Sequence, residues 1–168
     1  LPTVTGSNVC IGGTTQLTGS GTANASNPWT SSNTAVATIS TSGLLTGVSV
    51  GSTTITYTNS NGCSNTLTLN VVGNPALTGT MTACIGATTQ LSATGTPNAV
   101  NPWTSSNTAV ATVSNTGLVT GISAGTSTIT FTNSSSCQST AVVTINPLPT
   151  ITGTLSVCAG STTQLSGS

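Results

Sequence analysis

Five cysteines are the residues of this chain whose side chains could carry out covalent chemistry. Cys10, Cys84 and Cys158 follow one another at an interval of 74 residues, and the same interval separates Cys63 from Cys137. The chain has no His and no CxxC pair, so the pattern does not favour a metal site or a redox-active thiol pair. Cysteines at fixed positions of a repeat favour structural disulfides, which persist outside the cytosol.

The rest of the chain offers these thiols no charged neighbour, because its 168 residues include no Lys, Arg, Asp, Glu or His. General acid–base catalysis needs a group that titrates near the working pH, and the Ser and Thr hydroxyls have no base to activate them. The usual ligands of calcium and zinc are also missing, as are the positive charges that bind nucleic acid or anionic membranes. We therefore predict that the chain is not an enzyme, has no catalytic residue, cofactor or metal site, and does not bind nucleic acid.

The segment NPWTSSNTAVAT occurs twice, at Asn27–Thr38 and at Asn101–Thr112. A sequence that returns at a fixed period indicates an array of similar structural units. We place the first repeat at residues 1–73, the second at 74–147, and the start of a third, truncated repeat at 148–168. We expect both ends to continue in a longer protein.

Each repeat is predicted to consist of short β-strands. Apolar residues form short, often β-branched runs among Thr, Ser, Asn and Gly, which is typical of strands joined by turns. In several of these runs they alternate with polar residues, as expected for an antiparallel sandwich with one buried face. No stretch has a helical pattern, and no apolar run is long enough to cross a membrane. The strands expected in the first repeat, A to G, are Thr3–Val9, Thr14–Thr18, Pro28–Ser31, Ala35–Ser40, Leu44–Ser49, Thr53–Thr58 and Asn65–Val71.

These segments resemble a known family. WTSSNTAVATIS followed by TSGLLTGVSVGSTTITYTN is similar to the signature half of the bacterial immunoglobulin-like group 2 domain, and IGGTTQLTGSG resembles the family's entry into strand B. The cysteine-bearing, charge-free form is similar to the tandem repeats of very large surface adhesins of gliding Bacteroidota. The resemblance implies tandem immunoglobulin-like antiparallel β-sandwiches that form a rod or filament, exported and displayed at the cell surface. It supplies no catalytic residues.

The expected function is that of a structural stalk or filament segment of a long, secreted, repetitive cell-surface adhesin, stiffened by disulfides. Its partners would be neighbouring repeats of the same chain, with a surface polysaccharide or a host or substratum surface as further candidates, and without membrane insertion of this segment. Two other functions stay open: a carbohydrate- or protein-binding module, and a non-covalent homopolymeric extracellular fibre or sheath.

Trp29 and Trp103 occupy equivalent positions of the two repeats. If exposed, each ring could stack on a sugar. A large apolar side chain on strand C of a small sandwich more often fills the core, where it buries a large apolar area. We therefore expect both tryptophans to be core anchors.

The pairing of the cysteines has two alternatives. Cys10 lies at the expected turn between strands A and B, and Cys63 at the turn between F and G, which are at opposite ends of an immunoglobulin-like sandwich, roughly 20 Å apart. A disulfide needs Cα atoms within about 7 Å, so we prefer a bond between Cys10 and Cys137. Cys63, Cys84 and Cys158 would then pair with repeats outside this sequence. Pairing within a repeat, Cys10 with Cys63 and Cys84 with Cys137, stays open.

Overall fold

The first repeat folds into β-sheets around one hydrophobic core in the computed structural model of the protein, which describes residues 1–154 and 156–167. Its strands are β1 (Val4–Thr5), β2 (Val9–Cys10), β3 (Thr14–Gln16), β4 (Thr18–Gly19), β5 (Trp29–Ser31), β6 (Ala37–Ile39), β7 (Leu44–Gly47), β8 (Gly51–Thr58) and β9 (Ser64–Val72). One sheet has the order β3–β7–β6 and the other β2–β9–β8–β5, while β1 pairs with β4. The predicted all-β class is confirmed.

Strands β8 and β9 form a long antiparallel hairpin in the four-stranded sheet. Their register runs from Gly51 opposite Val71 to Thr58 opposite Ser64. The alternation in the sequence is reproduced in burial, since Ile55 and Tyr57 are buried and the threonines beside them are half-exposed. Period-two patterning therefore predicted strands F and G correctly, because one face of this sheet is covered and the other is wet.

The core of the first repeat takes side chains from both sheets. Ala37 of β6, Leu45 of β7 and Ile55 of β8 are completely buried. The other members of the cluster are Val9, Leu17, Trp29, Val36, Tyr57, Leu69 and Val71. Each large aliphatic side chain buried in this way stabilises the fold by roughly 1.5–3 kcal/mol.

Strand A, expected as one element, is divided between a separate two-stranded sheet and the four-stranded sheet. Its first part, β1, pairs antiparallel with β4, and its second part, β2, pairs parallel with β9. Gly6 lies where the chain crosses, and a Cβ there would be 2.0 Å from Cδ2 of Leu17. The crossing therefore depends on the absence of a side chain at Gly6, which alternation alone does not reveal.

The second repeat builds the same arrangement with strands of similar length. Its strands are β10 (Leu77–Gly79), β11 (Thr82–Cys84), β12 (Thr88–Ala93), β13 (Trp103–Ser105), β14 (Ala111–Val113), β15 (Leu118–Gly121), β16 (Gly125–Thr132) and β17 (Gln138–Asn146). The sheets have the orders β10–β12–β15–β14 and β11–β17–β16–β13. Core positions keep their apolar character with small changes of shape, such as Leu45 to Val119 and Val71 to Ile145, which packed interiors tolerate well.

The third segment contains a short two-stranded pair. Strand β18 (Ile151–Gly153) lies antiparallel to β19 (Leu165–Gly167), with Ile151 opposite Gly167. The side chains of both strands are exposed. Among the described residues, no helix is long and apolar enough to cross a membrane.

Two compact units can be distinguished in the chain. The first consists of Leu1–Leu77, Ala93–Pro102 and Phe131–Ser139. The second consists of Thr78–Ser92, Trp103–Thr130 and Thr140–Ser168. Both Cys10 and Cys137 belong to the first unit.

The repeated segment NPWTSSNTAVAT contacts a cluster of hydroxyl groups built around Thr53 of β8. Thr53 is 3% exposed, and its Oγ1 lies 3.0 Å from Ser31 Oγ and 3.2 Å from Ser32 Oγ. The same oxygen accepts the backbone N–H of Asn33 at 3.2 Å. In the second repeat Ser127 takes this place and accepts the backbone N–H of Asn107 at 3.1 Å. The serines and the asparagine of the repeated segment thus form a network with one buried hydroxyl.

Asn33 then turns the chain from β5 towards β6. Its Oδ1 accepts the N–H of Ala35 at 3.1 Å, and its carbonyl accepts the N–H groups of Val36 and Ala37. Asn is suited to such a turn because its short side chain can replace a backbone acceptor. The turn delivers Val36 and Ala37 into the core.

The Thr53→Val substitution should lower the free energy of unfolding by about 1–2 kcal/mol, because it keeps the shape but leaves the Asn33 N–H and two hydroxyls without their shared partner. The matched control is Thr56→Val on the same strand, where the side chain is half-exposed and a change below about 0.5 kcal/mol is expected. Urea denaturation followed by tryptophan fluorescence measures both. Equal midpoints for the two variants would contradict a stabilising role of the cluster.

Candidate functional site

Cys10 ends strand β2 and is held by both sheets of the first repeat. It pairs with Val72 at the end of β9, and the next residue, Ile11, donates its N–H to the Val72 carbonyl at 3.0 Å. Gly12 donates to the Gly47 carbonyl of β7 at 2.9 Å. Gly13 closes the turn by donating to the Cys10 carbonyl at 2.9 Å. The backbone of this cysteine is therefore held by main-chain hydrogen bonds in addition to the disulfide.

Cys84 lies in the same local structure in the second repeat. It pairs with Asn146 at the end of β17, and Ile85 donates to the Asn146 carbonyl at 3.0 Å. Gly86 donates to Gly121 at 2.9 Å, and Ala87 closes the turn on the Cys84 carbonyl at 3.0 Å. We call the segments Cys10–Gly13 and Cys84–Ala87 the cysteine turns.

The other two cysteines of the complete repeats follow a loop that one asparagine folds. In the first repeat, Oδ1 of Asn59 accepts the N–H of Asn61 at 3.1 Å and that of Cys63 at 3.0 Å. In the second, Oδ1 of Asn133 accepts the N–H of Ser135 at 3.0 Å and that of Cys137 at 2.9 Å. We call Asn59–Cys63 and Asn133–Cys137 the cysteine loops.

The fourth residue of each cysteine loop has a left-handed backbone. Gly62 has φ 75° and its counterpart Ser136 has φ 63°. Each donates its N–H to the carbonyl of the loop asparagine, at 3.0 Å and 2.9 Å. Glycine adopts this conformation freely, whereas a serine does so at a cost, so the second loop retains the shape of the first although its sequence is less suited to it.

A disulfide joins the cysteine turn of the first repeat to the cysteine loop of the second. The Cα atoms of Cys10 and Cys137 are 5.6 Å apart, and the two residues are separated by 127 positions in the sequence. Cys137 is 1% exposed, and Cys10 is half-buried. Cys63 occupies the same loop position as Cys137 but is exposed and free.

The two cysteines of the first repeat are not bonded to each other. Cys10 lies opposite Val72, the last residue of β9, whereas Cys63 directly precedes Ser64, the first. At about 3.3 Å per residue the length of β9 separates them by roughly 30 Å, which no disulfide can span. Cys84 and Cys158 are likewise free and exposed.

Trp29 and Trp103 lie inside the repeats, with 8% and 6% of their surfaces exposed. The ring of Trp29 packs on Tyr57 with centroids 4.6 Å apart and an angle of 45° between the planes. Gly43 approaches the same indole so closely that a Cβ would lie 3.0 Å from Cε2. An open groove of about 400 Å³ beside Trp29 is lined by Thr30, Ser31, Thr34, Thr38 and Ile39. The indole forms one wall of this groove but offers little surface for stacking.

The chemistry available at these positions is limited to the thiols. No charged side chain exists in the sequence, and no group of three or more His, Cys, Asp or Glu that could hold a metal ion occurs in the described part of the chain. The cysteines can form disulfides, and the neighbouring hydroxyls and amides can position them. The arrangement is therefore suited to covalent linkage.

The asparagines of the cysteine loops are functional residues that the sequence reasoning missed. Asn59 stands four residues before Cys63, and Asn133 four before Cys137. The signal was present in the sequence, since Asn recurs at the same distance from both cysteines while two of the three residues between them change. An Asn at the start of a tight loop commonly accepts backbone N–H groups two or more residues on.

Comparison with known proteins identifies the family. The sequence profile of the bacterial Ig-like domain (group 2) matches residues 3–71 and 76–145. The chain belongs to this family. The resemblance read from the repeated segments is confirmed at this level. Among proteins of curated function, none matches the chain.

Two solved structures are similar to this group 2 Ig-like chain. One is the C-terminal 282-residue fragment of intimin in complex with the intimin-binding domain of the translocated intimin receptor, with a TM-score of 0.53 and 16% identity over 92% of this chain. The other is invasin, described as a bacterial integrin-binding protein, with a TM-score of 0.51 and 20% identity over 90% of this chain. The chain spans 66% of the intimin fragment and 40% of the invasin chain. At these identities the likeness shows the shared fold alone.

The Asn133→Ala substitution should weaken the Cys10–Cys137 disulfide of these Ig-like repeats. It removes the acceptor of two backbone N–H groups, worth together about 1–2 kcal/mol, so the effective concentration of the two thiols should fall about 5- to 30-fold. Equilibration with a glutathione redox buffer, followed by alkylation and mass spectrometry, measures this quantity. The Asn59→Ala variant makes the same change in the loop of the free Cys63 and should leave the value unaltered. Identical results for both variants would overturn the positioning role.

Both tryptophans should be shielded from solvent in the folded chain. We expect a blue-shifted emission maximum and weak acrylamide quenching, rising on unfolding in urea to the values of a free indole. A red-shifted emission with strong quenching in the native state would contradict the core position. It would instead favour indole rings available for stacking on a sugar.

Proposed function

We propose that this chain is a structural stalk segment of a long, secreted, repetitive cell-surface adhesin, stiffened by disulfides between consecutive repeats. The observation that carries the proposal is the bond between Cys10 and Cys137, which connects the first repeat to the second. A disulfide within one repeat would stabilise that repeat only. One that links successive repeats also restricts how far the chain can lengthen when it is pulled.

The mechanism follows from the length of the closed loop. Because Cys10 and Cys137 are 127 positions apart, a force applied to the two ends of the chain passes through the disulfide and bypasses the residues between them. Most of both hydrophobic cores, including Trp29 and Trp103, lies in this bypassed part. The cores therefore do not need to resist the force themselves.

The composition supports a structural role over a catalytic one. Without side chains that titrate near neutral pH, the chain has no general acid or base. Its exposed surface is rich in Ser, Thr and Asn, which stay hydrated without charge. In the described residues, each buried side-chain nitrogen and oxygen has a hydrogen-bond partner, so no unpartnered polar group inside the fold points to a bound ligand.

We infer that the complete protein is extracellular and adhesive. Disulfides persist in oxidising surroundings. The fold is shared with an intimin fragment solved in complex with a receptor domain and with invasin, described as an integrin-binding protein. The cysteine-bearing repeats also resemble those of surface adhesins of gliding Bacteroidota. We assign to this segment the task of spacing and holding an adhesive region. A surface polysaccharide or a host or substratum surface would be what the complete protein grips.

Pulling single molecules by their two ends tests the disulfide mechanism. The oxidised chain should reach a final extension shorter than that of the reduced chain by roughly 400–450 Å, the contour length of the bypassed residues at about 3.3–3.6 Å each. The Cys10→Ala variant should extend fully with or without reductant. The Cys63→Ala variant, which removes a free and exposed thiol, should behave like the parent chain. Full extension of the oxidised parent would refute the mechanism.

A further inference from the structure

The cysteines fall into two structural types that recur along the chain. Cysteine turns begin at Cys10 and Cys84, and Cys158 starts the same turn in the third segment, where Ser161 donates its N–H to the Cys158 carbonyl at 3.0 Å. Cysteine loops end at Cys63 and Cys137. The Cys10 and Cys84 turns share three backbone hydrogen bonds, the Cys158 turn shares the closing one, and the two loops share theirs. The thiols of the two complete repeats are therefore presented from matching backbone geometry.

The bond that is present shows how the two types combine. A turn cysteine bonds a loop cysteine, and the loop belongs to the repeat that follows in the sequence. Two repeats can therefore complete only one such bond. One turn and one loop are left over, and these are the ones that carry Cys84 and Cys63, both exposed and free.

We propose that Cys84 and Cys63 are the two open halves of this same joint, and that each accepts a neighbouring Ig-like repeat covalently. Cys84 takes the loop cysteine of a following repeat, and Cys63 takes the turn cysteine of a preceding one. The inference rests on the proposed function, since it requires further repeats in series. The partner of Cys84 is an Ig-like repeat whose loop has the form Asn-x-x-x-Cys. The partner of Cys63 is an Ig-like repeat whose turn carries a cysteine at the position that Cys10 occupies in the first repeat.

The difference between the two loops supports an open half at Cys63. Asn59 and Asn133 fold their loops with the same bonds to equivalent N–H groups. Nevertheless Cys137 is 1% exposed and Cys63 is exposed. Since the loops themselves match, the Cys63 loop already has the shape of the bonded Cys137 loop.

Formation of each bond consumes a low-molecular-weight disulfide as oxidant. The thiolate of one cysteine attacks a sulfur of the oxidant, forms a mixed disulfide and releases one small thiol. The thiolate of the second cysteine then displaces the remaining small thiol and forms the protein disulfide. The two cysteines lose two electrons and two protons, and the oxidant is reduced to two thiols.

Successive bonds of this kind close loops that overlap. The loop from Cys10 ends at Cys137, but the loop from Cys84 begins before that point and closes in the next repeat. Each peptide bond beyond Cys10 then lies within at least one closed loop. A single proteolytic cut would leave the array in one covalent piece, so the series of joints makes the fibre tolerant to nicking as well as resistant to extension.

The test uses the complete chain extended by a second copy of residues 95–168 after Ser168, which continues the period of 74 residues and completes the third repeat. After oxidation with glutathione disulfide and alkylation of the remaining thiols, a non-reducing peptide map should link Cys84 to the appended copy of Cys137. Cys63 should be recovered as the alkylated thiol. A free Cys84, or Cys84 bonded to any other cysteine, would overturn the proposal.

Cleavage of the chain at a single site tests whether the disulfide-closed loops overlap. Because the chain has no Lys or Arg, one introduced lysine gives one cleavage site. Thr154→Lys lies outside the loop closed by Cys137 but inside the loop proposed for Cys84. After cleavage in urea by a lysine-specific protease, the extended variant should stay in one piece without reductant, whereas the same variant of the 168-residue chain should separate.

The Val50→Lys variant of the extended chain distinguishes the two proposals. Its site lies within the Cys10–Cys137 loop and outside the loop proposed for Cys84, and Val50 is 64% exposed. Separation of the Thr154→Lys fragments while the Val50→Lys fragments stay joined would refute the further inference and leave the proposed function intact. Separation in both variants would refute both.

Discussion

The parallel pairing of β2 with β9 determines which disulfides the two cysteines of a repeat can form. Val9 lies opposite Val71 and Cys10 opposite Val72, so one cysteine is fixed at the end of β9 while the other precedes its start. The antiparallel hairpin of β8 and β9 pairs that strand along eight positions and keeps it extended. A repeat of this kind cannot close a disulfide on itself, and its thiols are directed to other repeats by the sheet that stabilises it.

Hydrogen bonds of uncharged side chains hold the turns and loops of this chain, which has no charged side chains to form ion pairs. The hydroxyl of Thr53 holds the β5–β6 turn, and the amide oxygen of Asn59 holds the cysteine loop. Each buried side-chain polar atom in the described part of the chain is satisfied, which removes the penalty of an unpaired group. No Asp, Glu, His, Lys or Arg changes protonation on unfolding, so the usual source of acid sensitivity is missing.

The fold was predictable from the sequence where local pattern and tertiary environment agree. Strands β8 and β9 show strict alternation and are buried on one face only, and the period of 74 residues predicted that a second sandwich would follow. The crossing of strand A between the sheets was not predictable. It depends on the close approach of Gly6 to Leu17, which lies on a different strand, and polar–apolar alternation within one strand does not reveal such a contact. The cysteine loops were placed correctly as turns, but the role of Asn59 and Asn133 depends on side-chain bonds that composition and periodicity do not encode.

The identity of Asn27–Thr38 with Asn101–Thr112 has a consequence for how the chain reaches its fold. Strand β5 pairs with β8 by placing Trp29 opposite Tyr57, and β13 has the same sequence as β5, so side-chain chemistry hardly distinguishes the correct partner from one exchanged between repeats. Exchange of this kind is a typical misfolding route of tandem repeats. The correct pairing is favoured because the loop between two strands of one repeat is shorter than the loop between strands of different repeats. This difference in loop-closure entropy is worth only about 1 kcal/mol. Domains of a multidomain chain generally fold in order from the N-terminus during synthesis, and this order would let each repeat pair its own strands before an identical segment of the next repeat is available.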